Sequence, residues 1–429
     1  MSGDLEIDHG GAIAVDTEAM RDVGRRMTSL ASHLEEARDA VMRARGIIVG
    51  APGFAEQVDV GALEASRDRI GALRSEVDEA SIGTLLMADA FEIVELRAEA
   101  EALAHTDAAA AAALEARIDR MVAADARIGA MADQLVAQWE NERFEGLDTQ
   151  WDMGELLPPF FTIGAFIGTT ARLGHVLPGM TLKGDVEPVS VTTVKSSTPD
   201  APPATLRGAF ERMPKDASAQ VAVEKLRFDD GSTKYMVYLK GTQNFVPWQA
   251  GGPEPWDMKS NAELYTGEKS ASYQAVIDAL HAAGAESGDT IGVVAHSQAG
   301  MIAVHMAMES SFDVEFVATA GSPTVGTFRD DQLAVQILHT DDVVGSMSGG
   351  GSPAGSGSPD SFIATRVADP NPGIQDLALA PHRFEPYLET AEMIDESDDP
   401  RAVALDDYWT RLGEAVSVER TEYHAERIR

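Results

Sequence analysis

Residues 290–307, "TIGVVAHSQAGMIAVHMA", run from a short apolar segment through one serine into a series of small helix formers. The first half predicts a buried strand and the second a helix, with Ser297 at the junction. A serine there is either a helix N-cap or a nucleophile held on a strand-to-helix elbow. The usual elbow reads G-x-S-x-G, but Ala295 and Ala299 occupy both glycine places and Gly300 arrives one position late. The pentapeptide alone leaves both readings open.

The flanking sequence supplies the fold class. Upstream, "QVAVEKLRF" and "KYMVYLKGT" flank "DDGST", which predicts a hairpin. A helical pattern follows over 272–286. Downstream come the strand-like "VEFVATAGSP" and "AVQILHTDD". Strands alternating with helices predict an α/β unit with a mostly parallel sheet covered on both faces. The Val-, Thr-, Ser- and Pro-rich stretch 186–204 reads as a linker or edge segment, and the Gly/Ser-rich 345–360 as a mobile loop. The last stretch, 405–429, reads as helical.

The N-terminal third differs in kind. Met20, Val23, Met27, Leu30, Leu34, Ala37 and Val41 are spaced alternately three and four apart, which lines one face of a helix. A Gly/Pro break at 46–54 precedes a second helical pattern (Leu63 to Val77) and a third (Leu85 to Leu103). A fourth runs from Leu114 to Trp139 behind Thr106 as N-cap. This predicts an all-α antiparallel bundle or long hairpin over 1–150. It holds no cluster of chemical residues, and its one functional reading is a face for a helical protein partner or self-association.

Composition narrows the function. Acidic residues number 70 and basic residues 34, a net charge of −36, which argues against nucleic acid as a partner. There is no cysteine, so thiolate metal sites and a cysteine nucleophile are excluded. No basic n-region and apolar core mark a secretory signal, so the expected location is cytoplasmic, or exported without one. The apolar stretch 156–174 is broken by Pro158, Pro159, Gly164, Gly168 and Arg172, short of the ~20 apolar residues a spanning helix needs. It reads as a buried or cap element in a 151–210 connecting region.

If Ser297 is a nucleophile, a carboxylate and then a histidine should follow it, and N–H donors should converge on the reacting carbonyl. "LHTDDVV" (338–344) brings Asp341 and Asp342 to a strand's C-terminal end, and "PHRFEPYLE" (381–389) brings His382, with Tyr387 five residues on. His296 reads as packing or a pocket wall and His339 as structural. Gly241-Thr242 ends a strand where one oxyanion N–H is expected; the other is that of Gln298. Trp248 and Trp256 read as either cap or packed loop.

Taken together, "KGT" (240–242), "AHSQAG", "VATAGSPTVG" (317–326), "HTDDVVG" and "HRFEPY" resemble, in order, the motifs of the class 3 lipases, over about 219–395. The resemblance implies an α/β-hydrolase unit over 211–429 and hydrolysis of carboxylic esters, on lipids or other small esters, by a lipase, an esterase or a phospholipase A1. Its triad would be Ser297, Asp342 (chosen over Asp341) and His382, with Thr242 and Gln298 as oxyanion donors and neither cofactor nor metal. The departures are Ala295 and Ala299, for which the sequence predicts a somewhat opened elbow, and Lys240 and Gly345. The helical region resembles WXG100-type secretion modules, without a W-x-G turn. Two other expectations follow: an exported lipase effector, or a degenerate hydrolase scaffold acting as a binding or secretion-adaptor protein.

Overall fold

The computed structural model describes residues 5–8, 17–51, 53, 56–142, 174–349, 356–369 and 379–428. The stretch 156–173 and the centre of the Gly/Ser run, 350–355, lie outside the described residues. Contacts divide the chain into two units: Met1–Ala12, Ala98–Ala111 and Ala137–Arg429 in one, Ile13–Arg97 and Ala112–Val136 in the other.

The smaller unit is helical. Helix α1 (Thr17–Gly50) and helix α2 (Val60–Leu103) run antiparallel. Arg21 pairs with Asp89 (2.9 Å), Thr28 with Ser81 (2.7 Å), Arg74 with Glu35 (3.6 Å) and Arg45 with Glu64 (2.5 Å), one number falling as the other rises. The second and third helical patterns of the sequence are therefore one helix of 44 residues. The fourth is two, α3 (Ala108–Ala124) and α4 (Ala126–Glu142). Asp125 interrupts it because its carboxylate accepts the Arg127 N–H (3.0 Å), a local bond that competes with the helix. The cap before α3 is Asp107, which accepts from the N–H groups of Ala109 (3.1 Å) and Ala110 (2.9 Å), and not Thr106.

The larger unit is built on a nine-stranded sheet. Five strands form its parallel centre: β5 (Thr233–Leu239), β6 (Thr290–His296), β7 (Asp313–Ala320), β9 (Leu333–His339) and β10 (Phe362–Arg366). Antiparallel strands flank it. β1 (Glu6–Asp8) pairs with β10. On the far side, β4 (Val221–Arg227) joins β5, β11 (Ser417–Arg427) joins β4, and β3 (Val189–Ser197) forms the edge. A short pair, β2 (His175–Val176) with β8 (Val325–Gly326), stands apart.

Two-residue alternation splits each central strand between two cores. Tyr235, Val237, Leu239, Ile291, Val293 and Ala295 face helices Ala271–Ala282 and Gln298–Glu309. Met236, Tyr238, Val294, Phe316, Ala318 and Val335 face the short helix Leu206–Phe210 and the helices Phe384–Asp395 and Pro400–Leu412. The chain is thus a helical region followed by a mixed, mostly parallel sheet with helices on both faces.

The C-terminal stretch departs from its helical reading. Helix Pro400–Leu412 ends at Gly413, and the rest is β11. The strand was hidden because its buried face carries charge: Arg420 reaches Glu224 (3.1 Å) and Glu422 (2.9 Å), and both acids are buried. Ion pairing here replaces the apolar alternation that marks a strand. The stretch 186–204 contributes β3 as the edge strand. The flanks of the Gly/Ser run are tied down: Ser356 donates to the Gly326 carbonyl (2.8 Å), and Gly345 and Ser346 lie in the short helix Val343–Ser346.

Candidate active site

The C-terminal ends of β5 and β6 open onto one cavity, where the crossover loops of a parallel sheet leave room, and the turn after β9 carries Asp342 behind it. Ser297 follows β6 directly with φ 56° and ψ −126°, a conformation that a non-glycine residue adopts only under tertiary constraint. Its side chain makes no capping bond. Its Oγ lies 2.7 Å from His382 Nε2 instead.

The constraint comes from glycines near the serine. A Cβ on Gly241 would lie 2.9 Å from His296 Nδ1 and 3.0 Å from Ser297 Cβ, so only glycine lets the end of β5 approach the turn this closely. A Cβ on Gly300 would lie 2.4 Å from Ser322 Cβ, so the close approach of the serine's helix to the loop after β7 is carried by Gly300. Ala295 and Ala299 are fully buried within the core on that face. With both alanines in place, Ser297 Oγ still lies within hydrogen-bonding distance of the His382 imidazole.

His382 closes the short 3₁₀ turn Ala380–His382, ahead of helix Phe384–Asp395. Its Nδ1 lies 2.6 Å from Asp342 Oδ2. A carboxylate can only accept, so Nδ1 carries the proton and Nε2 faces Ser297 as the acceptor. Asp342 is fully enclosed. Its Oδ1 accepts the Val344 N–H (2.9 Å), and its Oδ2 also accepts the Tyr387 hydroxyl (2.7 Å). Burial pushes this carboxyl up, but His382 and the two hydrogen bonds to Oδ2 outweigh it, so its pKa falls below the ordinary value.

Asp341 is spent on the backbone. Its carboxylate accepts the N–H groups of Ala368 (3.0 Å) and Asp369 (2.8 Å), and burial raises its pKa. His339 is likewise structural, with Nδ1 2.8 Å from the Pro381 carbonyl, Nε2 at Thr390 Oγ1 (2.9 Å) and its ring stacked 3.8 Å from that of Tyr387. His296 lines the cavity and stacks on His382 (5.3 Å). Burial and that neighbour hold its pKa down to about 3, so it stays neutral beside the His382 imidazole.

Thr242 is buried, and its Oγ1 accepts from Asn261 Nδ2 (3.0 Å). Gln298 Nε2 donates to the Asp257 carbonyl (3.1 Å). Neither the Thr242 N–H nor the Gln298 N–H has an acceptor among the described residues. Gln298 opens its helix, where N–H groups have no partner within the helix.

The sequence reading missed the scaffold behind these donors. Asp257 caps helix Met258–Tyr265 through the Ser260 N–H (3.0 Å), and its carboxylate binds Arg427 (2.8 Å). The "D-M-K-S" run at 257–260 is a helix-start signal that would have found the cap. Trp256 is fully buried in the core, and its carbonyl accepts the N–H groups of Gln243 (2.8 Å) and Asn244 (3.0 Å). Trp248 is 86 % exposed. Neither tryptophan lines the cavity, so the cap reading does not hold for them.

The cavity has a volume of about 980 Å³. Phe210, Met213, Pro214, Phe384 and Leu388 form an apolar wall, with Ser297 and His382 on its floor. Among the described residues there is no cluster of His, Asp and Glu able to hold a metal ion, and no helix is long and apolar enough to cross a membrane. Compared with known protein families, curated proteins and solved structures, the chain matches none.

Proposed function

We propose that this chain is a serine hydrolase of carboxylic esters, built on an α/β-hydrolase unit of class 3 lipase type. One observation carries the reading: Ser297 Oγ, His382 Nε2 and Nδ1, and Asp342 Oδ2 form a continuous chain of 2.7 and 2.6 Å contacts at the floor of an apolar cavity.

In this mechanism His382 Nε2 takes the Ser297 proton as Oγ attacks the ester carbonyl. The proton already on Nδ1 stays between His382 and Asp342, whose ionised carboxylate stabilises the imidazolium that forms. The Thr242 and Gln298 N–H groups receive the oxyanion. His382 then returns the proton to the departing alkoxide, leaving an acyl-Ser297 that water, activated by the same imidazole, hydrolyses. Tyr387 fixes the carboxylate that fixes the imidazole. Every group required belongs to the chain. The apolar wall favours an acyl chain, which supports lipid-like esters over short ones.

The test is hydrolysis of a p-nitrophenyl ester series from short to long acyl chains by the wild type and Ser297→Ala, with mass-spectrometric mapping of a fluorophosphonate adduct. The expected result is turnover that falls by several orders of magnitude in the variant, with the adduct on Ser297. Turnover that survives the substitution, or a folded protein that neither cleaves an ester nor takes the label, refutes the reading and leaves the scaffold alternative.

A further inference from the structure

The two oxyanion donors stand on different elements, Thr242 after β5 and Gln298 after β6, and no bond in the Ser297–His382–Asp342 chain reaches Thr242. Residues 256–261 span the gap. The Trp256 carbonyl accepts the Gln243 and Asn244 N–H groups (2.8 and 3.0 Å), the Asp257 carbonyl accepts Gln298 Nε2 (3.1 Å), and Asn261 Nδ2 donates to Thr242 Oγ1 (3.0 Å). One short segment thus grips Gln298, Thr242 and the chain directly after Thr242. That segment is in turn fastened to the end of β11. Arg427 forks across the Asp257 carboxylate (2.8 and 2.9 Å), donates to Ser260 Oγ (2.9 Å) and reaches the Gly252 and Glu254 carbonyls (2.9 and 2.8 Å). A bidentate arginine fixes orientation as well as distance.

A second observation concerns Gln298. Its side chain is fully buried, and its Oε1 has no hydrogen-bond partner among the described residues. A buried unpaired acceptor is unfavourable, and an apolar side chain of the same length would avoid it. An amide kept against stability fits a side chain whose task is the Nε2 bond to Asp257. We propose that Arg427 and the Gln298 side chain are positioning residues for the oxyanion site, acting through Asp257 to hold the Thr242 and Gln298 N–H groups at the spacing a tetrahedral oxyanion requires. The proposal rests on the hydrolase reading above and adds no group to the reacting atoms. The oxyanion exists only along the reaction path, so displaced donors lower kcat and leave KM nearly unchanged. The contacts from Ser297 to His382 and from His382 to Asp342 do not pass through the bridge, so the base keeps its pKa.

The experiment uses the full chain, p-nitrophenyl octanoate as substrate and an octyl trifluoromethyl ketone as probe. Ser297 Oγ adds to the ketone carbon, its proton passes to His382, and the ketone oxygen becomes the oxyanion facing the two donors. Gln298→Met and Arg427→Lys should each lower kcat by at least about tenfold and weaken the ketone by a similar factor. KM should stay within about threefold, and the acid limb of the kcat/KM pH profile should not move. The double variant should lose less than the product of the single losses, because both cut one route. Gln298→Met removes an unpaired acceptor and should fold normally; if Arg427→Lys does not fold, Asp257→Asn, which keeps a helix cap, takes its place. A folded Gln298→Met enzyme with wild-type kcat overturns the proposal and leaves the hydrolase reading intact. So does a kcat loss without weaker ketone binding, or one with a shifted pH profile, since either puts the damage in the triad. A double variant that loses the full product overturns the shared route through Asp257. A wild type that cleaves no ester overturns both this proposal and the reading beneath it.

Discussion

Replacing Asp342 by asparagine tests the site at its most constrained point. Two donors, His382 Nδ1–H (2.6 Å) and the Tyr387 hydroxyl (2.7 Å), converge on Oδ2, and the Val344 N–H (2.9 Å) points at Oδ1. All three need an acceptor, and an amide has one oxygen. If the amide nitrogen takes the Oδ1 position, it faces the Val344 N–H, leaves that donor unpaired at about 1–3 kcal/mol, and removes the negative charge that stabilises the imidazolium. If it takes the Oδ2 position, Nδ1 must become the acceptor and the ring proton moves to Nε2, where it meets Ser297 and abolishes the base. Either placement should lower kcat by about 10⁴, or about 5.4 kcal/mol at 1.36 kcal/mol per decade, the loss expected when a triad carboxylate becomes an amide. The assay is stopped-flow acylation with a p-nitrophenyl ester, which separates the chemical step from KM. Asp341→Asn is the control: it disturbs the Ala368 and Asp369 N–H groups but should change kcat by less than about tenfold. A variant at 342 that keeps more than about a tenth of kcat, or a larger kcat loss at 341, would refute the assignment.

Other consequences are open to direct measurement. Gly300→Ala would drive a methyl to 2.4 Å from Ser322 Cβ, and thermal unfolding should register about 1–3 kcal/mol of overpacking together with reduced turnover. Ala299→Gly, which restores the usual glycine, should instead lose about 1–2 kcal/mol of stability through helix propensity and the lost methyl, with no gain in kcat; a faster enzyme would show the alanine to be a handicap. Arg427→Met strands the buried Asp257 carboxylate and should cost about 3–5 kcal/mol in urea unfolding, and a neutral result would dismiss the pair as a structural tie. Burial holds His296 down to about 3 and both His305 and His339 to about 4, so the folded chain binds fewer protons there than the unfolded one. The stability this lends is complete above the ordinary value of 6.5 and drains as pH falls toward 4, by up to about 1.4 kcal/mol per pH unit per histidine. His339→Gln should flatten the slope measured by denaturant unfolding between about pH 7 and about pH 5, and an unchanged slope would count against it.

Much of the site can be read along the chain because the order of its parts follows strand order. Ser297 and Asp342 each follow a strand whose apolar pattern marks it, His382 is found by its order and by Tyr387 five residues on, and the choice of Asp342 over Asp341 becomes physical once Asp341 is found bonded to the backbone. What escapes the sequence is what depends on contact between distant residues. Gly300 looks misplaced until Ser322 is known to press on it, and Gly321 looks ordinary until the Tyr387 ring is found 2.9 Å from where its Cβ would be. Strand β11 escapes for a related reason: Glu422 answers Arg420 locally, but Glu224 on β4, the counter-charge that lets Arg420 face inward, lies in no window of local sequence.

The place of β11 in the sheet also sets a schedule for folding. Residues 417–427 lie between strands at 189–197 and 221–227, so β3 has no partner until a segment more than two hundred residues later arrives. During synthesis β4 presents an unpaired edge through the emergence of every parallel strand and every residue of the candidate triad. Closing so long a loop is slow, which makes this edge the natural substrate for a chaperone and the natural seed of aggregation. In pulsed hydrogen exchange the amides that β3 and β11 share should be the last in the sheet to gain protection.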